Sequence, residues 1–169
     1  KKKKFHYFIH FAAITSKQKK NYDKINFVNK ELPIKIIKLL QKNFKKDFKY
    51  FLFISTSHVY GFHKKKISEY DKRKPFNKYG KTKKAVEDFI LNQKNKFYFK
   101  IGIARIFNFT SDKQKKGHFI PDVYSKIKSK VNLINLDKNR DFIHIDDVAR
   151  SLQLMISKRK DKALNICSG

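Results

Sequence analysis

Tyr50-Phe51-Leu52-Phe53-Ile54-Ser55-Thr56-Ser57-His58-Val59-Tyr60-Gly61 changes character at its midpoint. The first five residues form a continuous apolar run, as expected of a parallel strand buried on both faces. The second half turns to hydroxyls and a glycine, the composition of a strand end and the turn that follows. In open parallel sheets functional groups gather beyond the carboxyl ends of strands. This passage therefore marks both a central strand and the rim of a candidate site.

Working outward, strands alternate with helices. Upstream, residues 8–11 read as a short apolar strand ending in the small pair Ala12-Ala13, and residues 14–26 read as a polar loop. Val28, Leu32, Ile36, Leu39 and Leu40 recur at helical spacing across residues 27–44, with Pro33 suited to a first turn. Downstream, residues 61–78 form a charged loop containing Pro75. A helix over 79–91 presents Ala85, Val86, Phe89 and Ile90, and a strand follows over 98–107. Residues 119–127 predict a helix with Pro121 in its first turn, and residues 131–136 a short strand. Asp146 or Asp147 can cap a helix carrying Val148, Leu152, Met155 and Ile156, and residues 163–167 close on a strand. The alternation predicts an α/β fold with a mostly parallel sheet.

Composition excludes several classes. At 169 residues with 40% hydrophobic content the chain can bury a core. No apolar run approaches the roughly 20 residues of a membrane span. The basic start at Lys1–Lys4 lacks the apolar stretch of a secretory signal. The lone cysteine, Cys167, rules out an internal disulfide and fits a reducing, cytoplasmic setting. No cysteine pair or histidine cluster offers a metal site. The net charge of +28 raises nucleic acid as a partner. Yet arginine stands only at 73, 105, 140, 150 and 159, and the lysines are scattered instead of forming an arm. Such a distribution argues against nucleic-acid recognition.

The sharpest local constellation is Tyr79-Gly80-Lys81-Thr82-Lys83. Tyr79 and Lys83, four residues apart, share a helix face. An ammonium beside a phenol favours the phenolate, so such a pair can act as general acid or base. Thr56, at the hydroxyl-rich strand end, can bond the same substrate oxygen.

Together these segments resemble the extended short-chain dehydrogenase/reductase family, the NAD-dependent epimerases and dehydratases that modify nucleotide-linked sugars. That family has a Ser/Thr-rich segment ending in Val-Tyr-Gly and a Tyr-x-x-x-Lys about two dozen residues later. Further stretches agree. Residues 9–13 resemble its strand end along the cofactor, and Asn29 its early helical asparagine. Residues 104–108 resemble its Arg-x-x-Asn segment, although Thr110-Ser111 replaces the usual Tyr-Gly-Pro. Residues 117–121, the Arg140-Asp141-Phe142 signature and the ending Asn165-Ile166-Cys167-Ser168-Gly169 complete the series.

The resemblance implies a catalytic set of Thr56, Tyr79 and Lys83. In it Tyr79 exchanges a proton with a sugar oxygen, while Lys83 holds the cofactor ribose and lowers the tyrosine pKa. His58 joins as a second acid/base, standing where the dehydratase branch has an acidic residue, which weakens a 4,6-dehydratase reading. It further implies NAD or NADP against His10, Ala12, Ala13, Ser55, Tyr79 and Lys83. The substrate side falls to Thr56, Asn108 and Arg140, with no metal. A homodimer through two helices, one of them the Tyr79 helix, is also implied. The late signature looks most like reductases of GDP-linked 4-keto-6-deoxy sugars, whose products feed polysaccharide synthesis.

One family element is missing. The five glycines, at 61, 80, 102, 117 and 169, include no Gly-x-x-Gly-x-x-Gly turn to hold a pyrophosphate. The expected fold is a Rossmann-like doubly wound parallel sheet lacking its N-terminal strands and glycine-rich loop. Residues 1–115 belong to the NAD(P)-binding part, and residues 116–169 to a partial substrate region interleaved with the last Rossmann elements. The alternative to an enzyme is an inactive gene fragment or degenerate binding module of the same fold.

Overall fold

The computed structural model describes residues 4–15, 22–44, 47–63, 65–132 and 140–169. The chain runs β1 (Tyr7–His10), α1 (Tyr22–Asn26), a π-helical turn (Phe27–Glu31), α2 (Leu32–Asn43), β2 (Tyr50–Thr56) and a 3₁₀ turn (Ser57–Val59). It continues through α3 (Lys78–Asn92), β3 (Lys100–Ile106), β4 (Asn108–Thr110), α4 (Phe119–Lys128), β5 (Phe142–His144), α5 (Ile145–Ser157) and β6 (Ala163–Ile166). The main sheet has the order β1-β2-β3-β6, all parallel, while β4 and β5 form a separate parallel pair. This is a Rossmann-like α/β fold.

Strand β2 lies at the centre, and all seven of its residues are buried. Side-chain alternation divides it between two cores. Phe51 and Phe53 join Ile101 and Ile103 beneath Ile37 and Leu40 of α2 and Val86 and Ile90 of α3. Tyr50, Leu52 and Ile54 join Ala104 and Ile166 beneath Val148, Leu152 and Met155 of α5. Each such side chain contributes about 1.5–3 kcal/mol on burial. Helix α5 leaves the β1 side of its face open, as a groove of about 410 Å³ lined by Tyr7, Phe11, Ala149, Leu152, Gln153, Ile156 and Ser157. None of the described helices is long and apolar enough to cross a membrane.

Three local expectations change. Residues 22–26 are helical and not a loop, because Ile25 is buried and carries the following helix back by more than a turn. Pro33 lacks an N–H and its ring crowds the carbonyl four residues earlier. The turn before it widens accordingly, with Leu32 N–H donating to Phe27 O. Helix α5 is capped by His144, whose Nδ1 accepts from Asp146 N at 3.3 Å, and Asp146 and Asp147 occupy the first turn. In the segment 131–136, Val131 and Asn132 have no regular structure and the remainder lies outside the described residues. Strands β4 and β5 have three residues each, too few for an alternation to be read from sequence.

One buried polar knot ties the carboxyl ends of the strands to α3. Glu87 is fully buried and accepts from Ser55 Oγ at 2.5 Å, Arg73 Nη1 at 2.9 Å and Arg105 Nη2 at 2.8 Å. Arg105, 2% exposed, also donates to Tyr60 Oη at 2.6 Å and to Glu69 O at 3.0 Å. Tyr60 donates onward to Asn165 Oδ1 at 2.7 Å. The knot thus joins β2, the charged loop, α3, β3 and β6. Breaking a buried pair by removing one partner costs about 3–5 kcal/mol, because the other charge is left uncompensated. Glu87→Ala is accordingly expected to lose about that much in urea unfolding. A loss below about 1 kcal/mol would show that the knot is dispensable.

At the free side of the sheet, His10 is buried among Phe8, Phe51 and Phe53, and neither ring nitrogen has a hydrogen-bond partner. Burial, then the charge of Lys83, pushes its pKa from 6.5 down to about 4. Between those values the unfolded chain binds the extra proton, so stability falls as pH drops from 6.5 towards 4. Measured by urea unfolding, His10→Leu is expected to remove this part of the acid sensitivity, about 2–3 kcal/mol at pH 4. An identical acid slope in the variant would exclude His10 as its source.

Candidate active site

The candidate site lies at the carboxyl end of β2, where α3 packs against the 3₁₀ turn. Gly61 permits the approach of the loop: its φ is +82°, and a Cβ there would lie 2.2 Å from Lys74 O. Gly80 does the same for the helix, since a Cβ would meet His58 O at 2.5 Å. Any larger residue at position 80 would lift the Tyr79 end of α3 away from the turn.

Thr56 ends β2 and its Oγ1 accepts from His58 N at 3.3 Å. Burial raises the Tyr79 pKa, and the neighbouring Thr56 side chain works against it. The resemblance implied a phenol lowered by Lys83, whereas here the phenol stands above its ordinary value. The reason is where Lys83 points. Its Nζ donates to Ile54 O at 2.8 Å and lies 4.7 Å from the centre of the Phe53 ring. Lys83 is 1% exposed, and burial pushes its pKa down to about 8 while Glu87 pulls upward. The tyrosine is therefore held as a protonated donor at neutral pH, beside a buried ammonium at the strand end.

His58 follows Thr56 in the turn. Its ring meets that of Tyr79 edge-on, with centroids 5.7 Å apart, and burial lowers its pKa. Asn77, the α3 N-cap, accepts from Gly80 N through Oδ1 at 2.7 Å and places Nδ2 2.9 Å from His58 Nδ1. The structure thus brings Thr56, His58, Tyr79 and Lys83 together.

The other candidates are distributed around them. His10 ends the neighbouring strand, and the segment after it carries Ala12 and Ala13 with Ala12 exposed. Asn29, fully buried, anchors that segment by accepting from Ile14 N and donating to Ile14 O, both at 2.8 Å. Ser55 turns its hydroxyl to Glu87 on the opposite side of β2 from Thr56, so that group is already engaged. Asn108 opens β4 and is exposed, and Arg140 lies 4.7 Å over the Phe119 ring. Among the described residues, no hydrogen bond, ion pair or ring contact joins Asn108 or Arg140 to the Tyr79 group. Nor is there a cluster of three or more His, Cys, Asp or Glu side chains fit for a metal. The residues that sequence reasoning missed are Asn77 and Glu87. Glu87 had a readable signal, because it continues the four-residue spacing of Tyr79 and Lys83 along one helix face.

Comparison with known proteins gives the family. A curated relative, GDP-6-deoxy-D-talose 4-dehydrogenase of Aggregatibacter actinomycetemcomitans, is 32% identical over 123 residues, covering 70% of this chain and 41% of its own length. Among solved structures, UDP-N-acetylglucosamine 4-epimerase from Methanobrevibacter ruminantium M1, in complex with UDP-N-acetylmuramic acid, superposes with a TM-score of 0.82 at 20% identity. The match covers 97% of this chain and 55% of that one. RMD from Pseudomonas aeruginosa, complexed with NADPH, gives a TM-score of 0.80 at 24% identity, with 96% and 60% covered. The chain thus spans about half the length of the proteins it matches. The family profile of NAD dependent epimerases and dehydratases runs across residues 1–167. So extensive a match leaves one assignment: the chain belongs to the NAD dependent epimerase/dehydratase family.

Proposed function

We propose that the chain forms the catalytic part of a NAD(P)-dependent epimerase or reductase acting on a nucleotide-linked keto or deoxy sugar. The observation that carries the reading is the placement of Thr56 at the end of β2 against the N-terminal half of α3, which holds Tyr79 and the buried Lys83. Thr56 orients the phenol and shares the sugar oxygen. Tyr79 gives its proton to a 4-keto oxygen on reduction, or takes it from the hydroxyl on oxidation. Its raised pKa suits the first role, since the proton is present at neutral pH.

The residues present fit the nicotinamide and ribose side of the cofactor. His10 keeps two buried ring nitrogens without partners at the end of β1, and Lys83 holds an ammonium at the end of β2. Ala12 and Ala13 leave backbone open to a ligand between these ends and Asn29. When bound, the nicotinamide carries the hydride. Whether NAD or NADP is used rests with the adenosine side, beyond these residues.

The curated relative's GDP-linked 6-deoxy sugar supports a substrate of that class, with Asn108 and Arg140 on the sugar-nucleotide side. A homodimer through two helices, one of them α3, and a cytoplasmic location complete the proposal. The enzyme reading outweighs a degenerate binding module because Thr56, Tyr79 and Lys83 are assembled as a unit.

The deciding experiment follows both NAD(P)H formation and conversion of the sugar-nucleotide by chromatography, with GDP-6-deoxy-D-talose and a panel of UDP- and GDP-sugars. Tyr79→Phe is expected to lose about 10²–10⁴-fold in turnover while keeping the native circular dichroism spectrum. Sugar-nucleotide binding without turnover under any condition would instead favour the binding module.

A separate expectation concerns Lys83. It titrates at about 8 when folded, against 10.5 for an ordinary lysine. Between these values the unfolded chain binds more protons, so this residue makes stability rise with pH across that window. Lys83→Met should therefore be more stable than the native chain at pH 7, by about 1–3 kcal/mol in urea unfolding. The advantage should shrink by pH 10. A variant less stable at pH 7 would show that the bond to Ile54 O outweighs the burial of charge.

A further inference from the structure

The hydrogen bonds around Asn77 decide the protonation of His58. Asn77 caps α3, and the cap fixes which way its amide faces: Oδ1 accepts from Gly80 N at 2.7 Å. The other end of the amide, Nδ2, can only donate. It lies 2.9 Å from His58 Nδ1. That nitrogen must then present a lone pair, so in the neutral ring the proton resides on Nε2. Protonating Nδ1 would set N–H against N–H at this distance.

The arrangement cannot easily relax. Gly80 is pressed on the carbonyl of His58, where even a Cβ would lie within 2.5 Å. His58 N is held by Thr56 Oγ1 at 3.3 Å. The groups facing the ring are the Tyr79 phenol ring, the Phe76 ring with centroids 6.4 Å away, and the Asn77 amide. No ion pair to His58 occurs among the described residues, and burial is what lowers its pKa. No carboxylate faces the ring among the described residues, and no hydrogen bond among them takes up Nε2.

We propose that His58 is fixed as a neutral Nε2–H donor that positions the sugar oxygen served by Tyr79, and is not a second proton-transfer group. A neutral imidazole can donate this hydrogen bond without surrendering the proton, because its N–H is a far weaker acid than a phenol. The site then has one proton-exchanging side chain, Tyr79. That suits oxidation or reduction at a single carbinol carbon. It does not suit elimination of water, or inversion next to a ketone, each of which needs a second acid or base. The donor role rests on the nucleotide-sugar reading, whereas the tautomer does not.

The test separates the two. Long-range ¹H–¹⁵N spectra of the histidine rings report the tautomer without substrate. The native chain is expected to show an unprotonated Nδ1 and a protonated Nε2 for His58 at pH 7. In Asn77→Asp one carboxylate oxygen still caps Gly80 N, since Asp caps as well as Asn. The other now accepts from Nδ1, so Nδ1 becomes protonated and the His58 titration moves up by about 1 pH unit or more. A protonated Nδ1 in the native chain, or an unchanged His58 in Asn77→Asp, would overturn the proposal. With the sugar-nucleotide assay, His58→Gln, which keeps a neutral N–H near the Nε2 position, should recover at least about tenfold over His58→Ala. Its pH–rate profile should keep the native limbs. Loss of one limb in His58→Gln would make His58 an acid or base after all. If the native protein turns over no sugar-nucleotide, the previous reading fails and the spectra alone decide the tautomer.

Discussion

The site depends first on one buried ion pair. Glu87 and Arg105 sit at 0% and 2% exposure, bridged by three hydrogen bonds. Two opposite charges in a low-dielectric interior are tolerable only when their remaining donors and acceptors are satisfied. Here Ser55, Arg73, Tyr60 and the Glu69 carbonyl satisfy them. Those partners come from β2, the turn that follows it and the 61–78 loop. The pair therefore sets where α3 lies along the sheet, and with it where Tyr79 and Lys83 stand relative to Thr56. Net energy is not its main contribution. What it supplies is uniqueness, because any slip of α3 strands a charge.

The same helix holds a second gradient. Tyr79, Lys83 and Glu87 follow one another at four-residue intervals from the half-exposed N-terminal turn to the fully buried interior. Their chemistry follows the gradient: a phenol raised by burial, an ammonium lowered to about 8, and a carboxylate clasped by two arginines. The phenol lies at the partly exposed end of the helix. The charges that arrange it lie where water cannot reach. Lys83 is turned to Ile54 O and the Phe53 ring and not to the phenol.

The opposite border of the sheet is arranged differently. Among the described residues β1 pairs only with β2, and Tyr7, Ile9 and Phe11 remain 45%, 37% and 60% exposed. Beside them run the open groove under α5 and His10 with its two idle ring nitrogens. Proteins rarely leave an apolar strand edge and a buried imidazole without partners. His10 lies at the end of this border towards the Tyr79 group and feels the charge of Lys83.

Much of this was legible in the chain of residues. The apolar run of β2 predicted a strand buried on both faces, because only such a strand needs no polar alternation. Tyr79 and Lys83 were legible from a four-residue interval, a property of one helix and independent of its surroundings. The spacing also carried Glu87, whose burial no local pattern could announce. Tertiary structure decided the rest. Ser55 and Thr56 are neighbours in sequence but fall on opposite sides of β2, so one serves the buried knot and the other the site. Lys83 was expected to lower the tyrosine pKa, yet its direction is set by a carbonyl on another element. Asn77 looked like loop composition, and only the approach of α3 to the 57–59 turn lets its amide dictate a histidine tautomer. Periodicity is a one-dimensional property and survives in sequence. Which polar atom finds which partner depends on distances between elements, and these exist only after the chain has folded.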